Sequence, residues 1–282
     1  MQEDLKAIIK QSLIEDRAFD DVTSDLLIKE NSLIDFVISP RQPIVFCGSD
    51  VINEVFSQLK SNSKFTHSQI NIEHLSEDGE KLNPGQPIAK GSGDAKLIFA
   101  AERLILNLIQ HLSSIATSTS DLVEKLNNPK IKILDTRKTI PLLRSIQKYA
   151  VKIGGGQNHR FNLSDLILIK DNHIAAAGGV ENAMMLAKSS SKNLKIEIEC
   201  DNLAQVKQCL KQNPDIIMLD NMDLKQLKES INLIRKESNS KIEVSGNISS
   251  ENISSYQNLD IDFISMGNLT NSVKIVDIGL DS

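Results

Sequence analysis

After residue 130, short apolar runs rich in β-branched residues alternate with stretches in which apolar residues recur at helical spacing. Runs that are apolar at nearly every position predict strands buried on both faces, and their alternation with helices predicts a parallel sheet covered by helices. Six strands are predicted in this way, at residues 131–134, 166–169, 196–198, 216–219, 242–244 and 263–266. No Gly-X-Gly-X-X-Gly motif follows the first strand, so the pattern favours a β/α barrel over a doubly wound dinucleotide-binding sheet.

The first hundred residues lack this alternation and predict a smaller α+β sandwich. Helices are predicted at residues 2–15 and 50–59, and extended segments at 33–39 and 44–48. The turn sequences at residues 78–88 are spaced as in a hairpin. They resemble those of biotinyl and lipoyl carrier domains, but no lysine stands at a hairpin tip, so a plain sandwich is favoured.

The domain organisation follows from these two patterns. Leucines and an isoleucine at helical spacing from Leu104 to Ile115 predict a long helix that opens the second domain. The sequence therefore predicts an N-terminal α/β sandwich domain at residues 1–108 and a β/α barrel at residues 109–268. The tail at residues 269–282 either returns to the first domain as a strand or caps the barrel.

Composition excludes several classes of function. Of the residues, 40% are hydrophobic and 24% charged, which is typical of a folded chain, and the net charge of −5 argues against nucleic acid as a partner. No apolar run reaches the roughly 18 to 20 residues of a membrane helix, so no membrane partner is expected. Three cysteines without a Cys-X-X-Cys pair predict neither a disulfide framework nor a structural zinc site, which favours the cytoplasm.

Charged, polar or glycine residues end each predicted strand. In a β/α barrel the carboxyl ends of the strands converge on the face that carries the active site, so these residues should share one site. Five of them are basic: Arg137, Lys138, His159, Arg160 and Lys170. Because cations this close together repel one another unless an anion lies between them, they predict binding of a small polyanion.

Acidic and glycine-containing strand ends complete the set. Glu199 and Asp220 suit Mg²⁺, directly or through water, or ribose hydroxyls. Acid–base catalysis and salt bridges to the lysines are open alternatives for this pair. Ser245-Gly246-Asn247 and Gly267-Asn268 end the last two strands, where barrels often bind phosphate through backbone N–H groups.

Two other chemistries involve the same residues. Lys170 at the end of an apolar strand is a candidate Schiff-base lysine, because burial beside other cations lowers the pKa of an amine. His159, His173 and Cys200 are residue types that bind zinc, but they lack the local spacing of zinc ligands.

Several motifs resemble the quinolinate phosphoribosyltransferase family. They are Asp135-Thr136-Arg137-Lys138-Thr139, Lys148-Tyr149-Ala150-Val151, Gly154-Gly155-Gly156, Asn158-His159-Arg160 and Leu168-Ile169-Lys170-Asp171-Asn172-His173. Further matches are Ala101-Glu102-Arg103, Glu197-Ile198-Glu199, Ile217-Met218-Leu219-Asp220-Asn221-Met222, Glu243-Val244-Ser245-Gly246 and Ile264-Ser265-Met266-Gly267. The resemblance covers the chain from about residue 100 onward and, more loosely, the N-terminal domain.

The resemblance implies a fold and a reaction. The family fold is an α/β sandwich followed by an incomplete seven-stranded β/α barrel, one strand more than the six predicted above. The family enzyme joins quinolinate to phosphoribosyl pyrophosphate and releases pyrophosphate and CO₂, giving nicotinate mononucleotide for NAD synthesis. Mg²⁺ is the implied cofactor.

The resemblance also implies residue roles. Arg137, His159, Arg160 and Lys170 would hold the carboxylates of quinolinate, and Lys138 would lie between that acid and the phosphoribosyl group. Glu199 and Asp220 would contact the ribose hydroxyls and Mg²⁺, while Ser245, Gly246, Asn247, Gly267 and Asn268 would form the phosphate end. Lys138, Lys170, Glu199 and Asp220 are the implied catalytic residues. Arg103 would complete the site of a partner subunit, so a homodimer or larger homo-oligomer is implied.

The sequence departs from the family pattern at five positions. Asn271 replaces a histidine, and Asn247 replaces the second glycine of Ser-Gly-Gly. Ile140, Leu142 and Ser114 stand where threonine, glycine and glycine are common. Three alternative functions remain: the molybdenum-associated paralogue of this family, a Schiff-base aldolase using Lys170, and a metabolite-binding barrel without catalysis.

Overall fold

A computed structural model describes residues 2–189 and 193–282. By its internal contacts the chain separates into two compact units. The first comprises the chain up to Ser120 together with Thr139–Gly155 and Leu269–Ser282, and the second comprises Asp121–Lys138 and Gly156–Asn268. The boundaries drawn from the sequence after residues 108 and 268 stay predictions.

Helices and strands follow one another along the whole chain. The elements up to residue 126 are α1 (Gln2–Glu15), α2 (Val22–Leu27), β1 (Leu33–Pro40), β2 (Ile44–Val45), α3 (Ser49–Lys60), β3 (Ile70–His74), β4 (Lys81–Leu82), β5 (Ala89–Asp94) and α4 (Ala95–Leu126). Those that follow are β6 (Lys132–Leu134), α5 (Arg144–Ile153), β7 (Ile167–Ile169), α6 (Asp171–Ala177), α7 (Val180–Lys188), β8 (Ile196–Cys200), α8 (Leu203–Leu210), β9 (Ile216–Asp220), α9 (Leu224–Glu237), β10 (Lys241–Ser245), a 3₁₀ turn (Ile253–Tyr256), β11 (Phe263–Ser265), α10 (Asn268–Asn271) and β12 (Ile278–Asp281).

The first unit contains a four-stranded antiparallel sheet in the order β12-β1-β5-β3. The predicted helix at 2–15 is confirmed by α1, which buries Leu5, Ile9 and Leu13 at intervals of four residues. The C-terminal segment returns as β12, whose residue Ile278 pairs with Pro40 of β1. The tail therefore returns to the first unit as a strand, which is one of the two possibilities that the sequence left open.

The second unit contains a six-stranded parallel sheet in the order β6-β11-β10-β9-β8-β7. All six predicted strands are confirmed, and the strand ends agree to within two residues. Every residue of β8 is buried, as expected for a strand covered on both faces. The carboxyl ends of the six strands lie at one edge because all neighbouring pairs are parallel.

The seventh strand implied by the family resemblance is reduced to one bridge among the described residues. Gln157 forms a parallel bridge with Leu134 on the outer edge of β6, and its N–H donates to Ile133 O at 2.8 Å. Pairing ends two residues later, because the N–H of His159 donates to the Asp135 carboxylate at 2.9 Å instead of to a strand. The barrel is therefore incomplete at this edge. No helix in the described part of the chain has the length and apolar character needed to cross a membrane.

The backbone of Leu142, a residue of the first unit, is strained. Its φ is +68° and it is 86% exposed, so no packing compensates for a conformation that costs a residue with a Cβ roughly 1–2 kcal/mol. We expect Leu142→Gly, the residue common in the family, to raise the free energy of unfolding by about 1 kcal/mol, measured by urea denaturation. The same change at Leu163, which is 70% exposed and has no positive φ, should lower it by about 0.5–1 kcal/mol. Equal effects at the two leucines would contradict this account.

Candidate active site

A cavity of about 440 Å³ opens at the carboxyl ends of the strands in the second unit. Its walls contain eight residues that the sequence predicted for the site: Arg137, Lys138, His159, Arg160, Lys170, Glu199, Asp220 and Ser245. The strand-end argument therefore predicted residues that line this cavity, because parallel strands deliver their last residues to one place.

Two guanidinium groups approach each other in this cavity. Burial lowers the pKa of Arg160, and the positive charge of Arg137 lowers it further. Arg160 Nη1 donates to the carbonyl oxygen of Leu166 at 3.3 Å, which orients the planar group. An anion with two acceptor groups would relieve the repulsion between these two guanidinium groups.

Beneath the cations lies a buried trio of His159, Glu197 and Glu243. The His159 Nε2 atom lies 3.0 Å from Glu197 Oε2 and 3.5 Å from Glu243 Oε2, and both glutamates are fully buried. Burial by itself lowers the pKa of His159, but the two adjacent glutamate carboxylates outweigh it and raise that pKa to about 10. Burial and the charge of Glu243 raise the pKa of Glu197. The imidazole is therefore held as a cation between two carboxylates.

The acidic wall of the cavity has its own partners. Lys170 Nζ forms an ion pair with Glu199 Oε2, so the salt bridge that the sequence left as an alternative is present. Carboxylate oxygens of Glu199, Asp201 and Asp220 all lie within 4.8 Å of one another. Oxygen donors at this separation are of the kind that Mg²⁺ prefers, so the donor set fits the predicted ion and adds Asp201 to it.

Only one of the residues predicted for the phosphate end lines the cavity. Ser245 lines the cavity, whereas Gly246, Asn247, Gly267 and Asn268 do not. Gly246 and Asn247 have φ of +90° and +52°, the left-handed region that glycine and asparagine tolerate. A Cβ on Gly267 would lie 2.7 Å from Lys138 Cδ, so this glycine leaves room for the stem of that lysine.

Arg103 does not line the cavity. It lies on α4 in the first unit, and its side chain is 63% exposed. Its Nη2 atom lies 3.9 Å from Glu102 Oε1. The resemblance implied that this arginine serves the site of another subunit.

The zinc alternative finds no support among the described residues. His173 Nδ1 accepts the backbone N–H of Lys170 at 3.0 Å and so belongs to the start of α6. Cys200 is buried beside Cys209, with 3.8 Å between the two sulfur atoms. No cluster of possible metal ligands in the described ranges joins His159, His173 and Cys200. The Schiff-base alternative is also disfavoured, because an ammonium paired with a carboxylate is a poor nucleophile.

Sequence reasoning missed five residues that line the cavity: Thr136, Leu168, Met218, Glu243 and Ser265. A usable signal was present in the strands. Side chains two positions apart on a strand face the same way, and Glu243 stands two residues before Ser245. Met218 stands in the same relation to Asp220. A charged residue inside a buried strand, as at Glu197 and Glu243, was the second signal.

Comparison with known proteins extends to almost the whole chain. The profile described as the N-terminal domain of quinolinate phosphoribosyl transferase matches residues 21–113, and the profile for its C-terminal domain matches residues 115–281. The chain belongs to this family. The residues of the candidate site therefore lie in a quinolinate phosphoribosyltransferase domain.

Individual relatives agree with this membership. The chain is 42% identical to a protein of Methanocaldococcus jannaschii named probable nicotinate-nucleotide pyrophosphorylase [carboxylating], over 97% of this chain and 95% of the relative. It is 38% identical to the nicotinate-nucleotide pyrophosphorylase [carboxylating] of Mycobacterium leprae, with the same two coverages. The crystal structure of NadC from Streptococcus pyogenes superposes with a TM-score of 0.92 at 36% identity, covering 100% of this chain and 97% of that one. Full-length similarity of this kind extends the family assignment to both domains.

Proposed function

We propose that this chain is a quinolinate phosphoribosyltransferase, which transfers phosphoribosyl from phosphoribosyl pyrophosphate to the ring nitrogen of quinolinate. Pyrophosphate and CO₂ leave, and nicotinate mononucleotide is formed for NAD synthesis. One observation carries the proposal: in a member of this family, five predicted cations and the two predicted acids line a single cavity. That charge distribution suits one substrate with two carboxylates and another with a sugar and phosphates.

The cationic wall is the proposed quinolinate subsite. Arg137 and Arg160 supply planar donors that match carboxylates in pairs, and Lys170 adds a third positive charge. His159 lies at the base of this wall, where its raised pKa keeps the ring protonated and its charge offsets that of the two buried glutamates. A dicarboxylate offers acceptor groups to both guanidinium groups, whereas a single carboxylate offers only one such group, which favours the dicarboxylate.

Glu199, Asp220 and Ser245 form the proposed phosphoribosyl subsite, with Lys138 at its border with the acid. Glu199 and Asp220 would accept hydrogen bonds from the ribose hydroxyls or hold Mg²⁺, with Asp201 beside them. When bound, Mg²⁺ supplies positive charge to the pyrophosphate as it leaves. Lys170 pairs with Glu199, so the two subsites share an electrostatic contact.

The proposed chemistry needs no activated serine or cysteine. The pyridine nitrogen forms the bond to the anomeric carbon while the bond to pyrophosphate breaks, and the nearby carboxylates stabilise the positive charge that develops on the ribose. The ring then carries a positive charge. When the carboxyl group leaves as CO₂, the electron pair of the broken bond stays on the ring carbon, which takes up a proton. Positioning by the cationic wall is what the protein contributes to this step.

The direct test incubates the purified chain with quinolinate, phosphoribosyl pyrophosphate and Mg²⁺ and follows nicotinate mononucleotide and CO₂. Nicotinate in place of quinolinate is the control. We expect product from quinolinate and not from nicotinate. If both ligands bind and neither reaction occurs, the non-catalytic alternative replaces the enzyme.

Arg103 is the residue proposed to complete the site of a second copy in a homodimer or larger assembly. We expect Arg103→Ala to fold normally and to lose turnover, because an exposed side chain contributes little to the stability of its own subunit. Lys170→Ala should be inactive as well. Mixed and reassembled in equal amounts, the two variants should regain roughly a quarter of the parent activity, since half of the dimers then contain one intact site. A mixture that stays inactive would contradict the shared site.

The cytoplasm is the proposed location. Cys47, Cys200 and Cys209 are free thiols and all three are buried. A reducing compartment keeps such thiols in that state, which supports the proposal.

A further inference from the structure

The Asp220 carboxylate is held by its neighbour in the chain. Asn221 Nδ2 donates to Asp220 Oδ2 at 2.6 Å, while the backbone N–H of Asn221 donates to Ser245 O at 3.0 Å. A carboxylate only accepts hydrogen bonds, so the Asn221 amide must present its NH₂ group, and not its oxygen, to Asp220. The direction of the whole amide follows from that requirement.

Asn247 supplies the donor that this direction demands. Its Nδ2 donates to Asn221 Oδ1 at 3.1 Å. The backbone carbonyl oxygen of Asn247 accepts a hydrogen bond from Asn252 Nδ2 at 2.8 Å, which holds the residue at its φ of +52°. The two amides and the carboxylate thus form one relay with a fixed polarity, from Asn247 through Asn221 to Asp220.

Gly246 makes this approach possible. A Cβ at residue 246 would lie 2.6 Å from Asn221 Cγ and 2.8 Å from the backbone nitrogen of Asn221. The family pattern has glycine at position 247, where no side chain is available to donate. The relay is therefore a feature of this sequence and not of the family motif.

We propose that Asn247 is a positioning residue that fixes the Asp220 carboxylate for the phosphoribosyl substrate by locking the orientation of the Asn221 amide. The proposal rests on the proposed function, in which Asp220 faces that substrate. Without the donor on Asn247, the oxygen of the Asn221 amide loses its hydrogen bond, so only Asp220 holds the amide and it moves more freely. The hydrogen bond from Asn221 would then hold the Asp220 carboxylate less firmly in the geometry that the substrate requires.

Asn247→Gly isolates the side chain, because glycine keeps both the backbone N–H and the positive φ. We expect the Kd for phosphoribosyl pyrophosphate, measured by calorimetry, to rise about fivefold, as for one lost hydrogen bond. The KM for quinolinate should not change, since Arg137, Arg160 and Lys170 are not part of the relay. A loss of packing alone would instead lower the melting temperature and leave the ratio of the two KM values unchanged.

A double-mutant cycle tests whether the effect passes through Asn221. Asn221→Gly keeps the φ of +54° and removes a hydrogen bond to a charged group, so its Kd should rise about tenfold. If the relay operates, Asn247→Gly adds nothing in the Asn221→Gly background. An added fivefold loss in that background would mean that Asn247 contacts the substrate itself and would overturn the proposal, as would an unchanged Kd for Asn247→Gly alone. A parent chain that binds no phosphoribosyl pyrophosphate overturns the proposed function instead.

Discussion

Replacement of Arg160 by alanine is expected to lower kcat/KM for quinolinate by roughly a thousandfold, on the order of 4 kcal/mol. Arg160 is partly buried and shares the cavity with a second cation, Arg137, whose guanidinium cannot also supply the pair of donors that Arg160 presents. The quinolinate carboxylate that we propose it holds would lose this partner in a partly desolvated cavity. The KM for phosphoribosyl pyrophosphate should change little. Initial rates with each substrate varied in turn measure both quantities.

Two matched variants control this experiment. Arg160→Lys keeps the charge but loses the planar pair of donors, so we expect an intermediate loss of about ten- to a hundredfold. Arg41→Ala removes an exposed arginine that pairs with Asp281 in the first unit, and it should leave the activity unchanged. If Arg160→Lys is as active as the parent chain, bidentate recognition of a carboxylate at this position is wrong.

Removal of the imidazole of His159 is expected to cost about 3–5 kcal/mol of unfolding free energy at pH 8. Glu197 and Glu243 are fully buried, and their closest cationic partner within hydrogen-bond range is His159 Nε2. In His159→Ala these two carboxylates would repel each other without compensation. Urea denaturation of the variant measures the loss. His67→Ala, at an exposed histidine, is the control and should change stability by less than about 0.5 kcal/mol.

The pH dependence of the variant distinguishes charge from packing. The pKa of Glu197 is already raised by burial and by Glu243, and loss of the cation raises it further. A carboxyl group with a raised folded-state pKa contributes stability at low pH that is lost as the pH rises, so the cost of His159→Ala should be much smaller at pH 5 than at pH 8. An equal cost at both values would mean that only the packing of the ring matters.

The stability of the parent chain also depends on pH, through the protonation of His159. The pKa of His159 is about 10 in the folded chain, against about 6.5 for an unperturbed histidine. Its contribution to stability is therefore complete below about pH 6.5 and is lost as the pH rises through about 10. The unfolding free energy of the parent chain should decline over that window, and above about pH 8 the decline should be weaker in His159→Gln, which lacks the titrating imidazole.

The sequence alone determined the architecture and most of the residues that line the candidate site. Continuous apolar runs predicted the six strands of the second unit, because a strand that is buried on both faces carries apolar residues at nearly every position. Polar residues at the ends of those runs predicted eight of the residues that line the cavity, since parallel strands end at one edge. The family motifs added the reaction, because their residue types and order are specific.

Only the tertiary structure decided which groups share a proton or a hydrogen bond. Strand register places Glu199, Met218 and Glu243 in one row across β8, β9 and β10, and no local pattern in the sequence reports that alignment. The trio at His159 and the amide relay at Asn247 depend on such alignments between distant segments. Hydrogen bonds and charge interactions act over a few ångströms in space, whereas periodicity in a sequence records only which face of its own element a residue occupies.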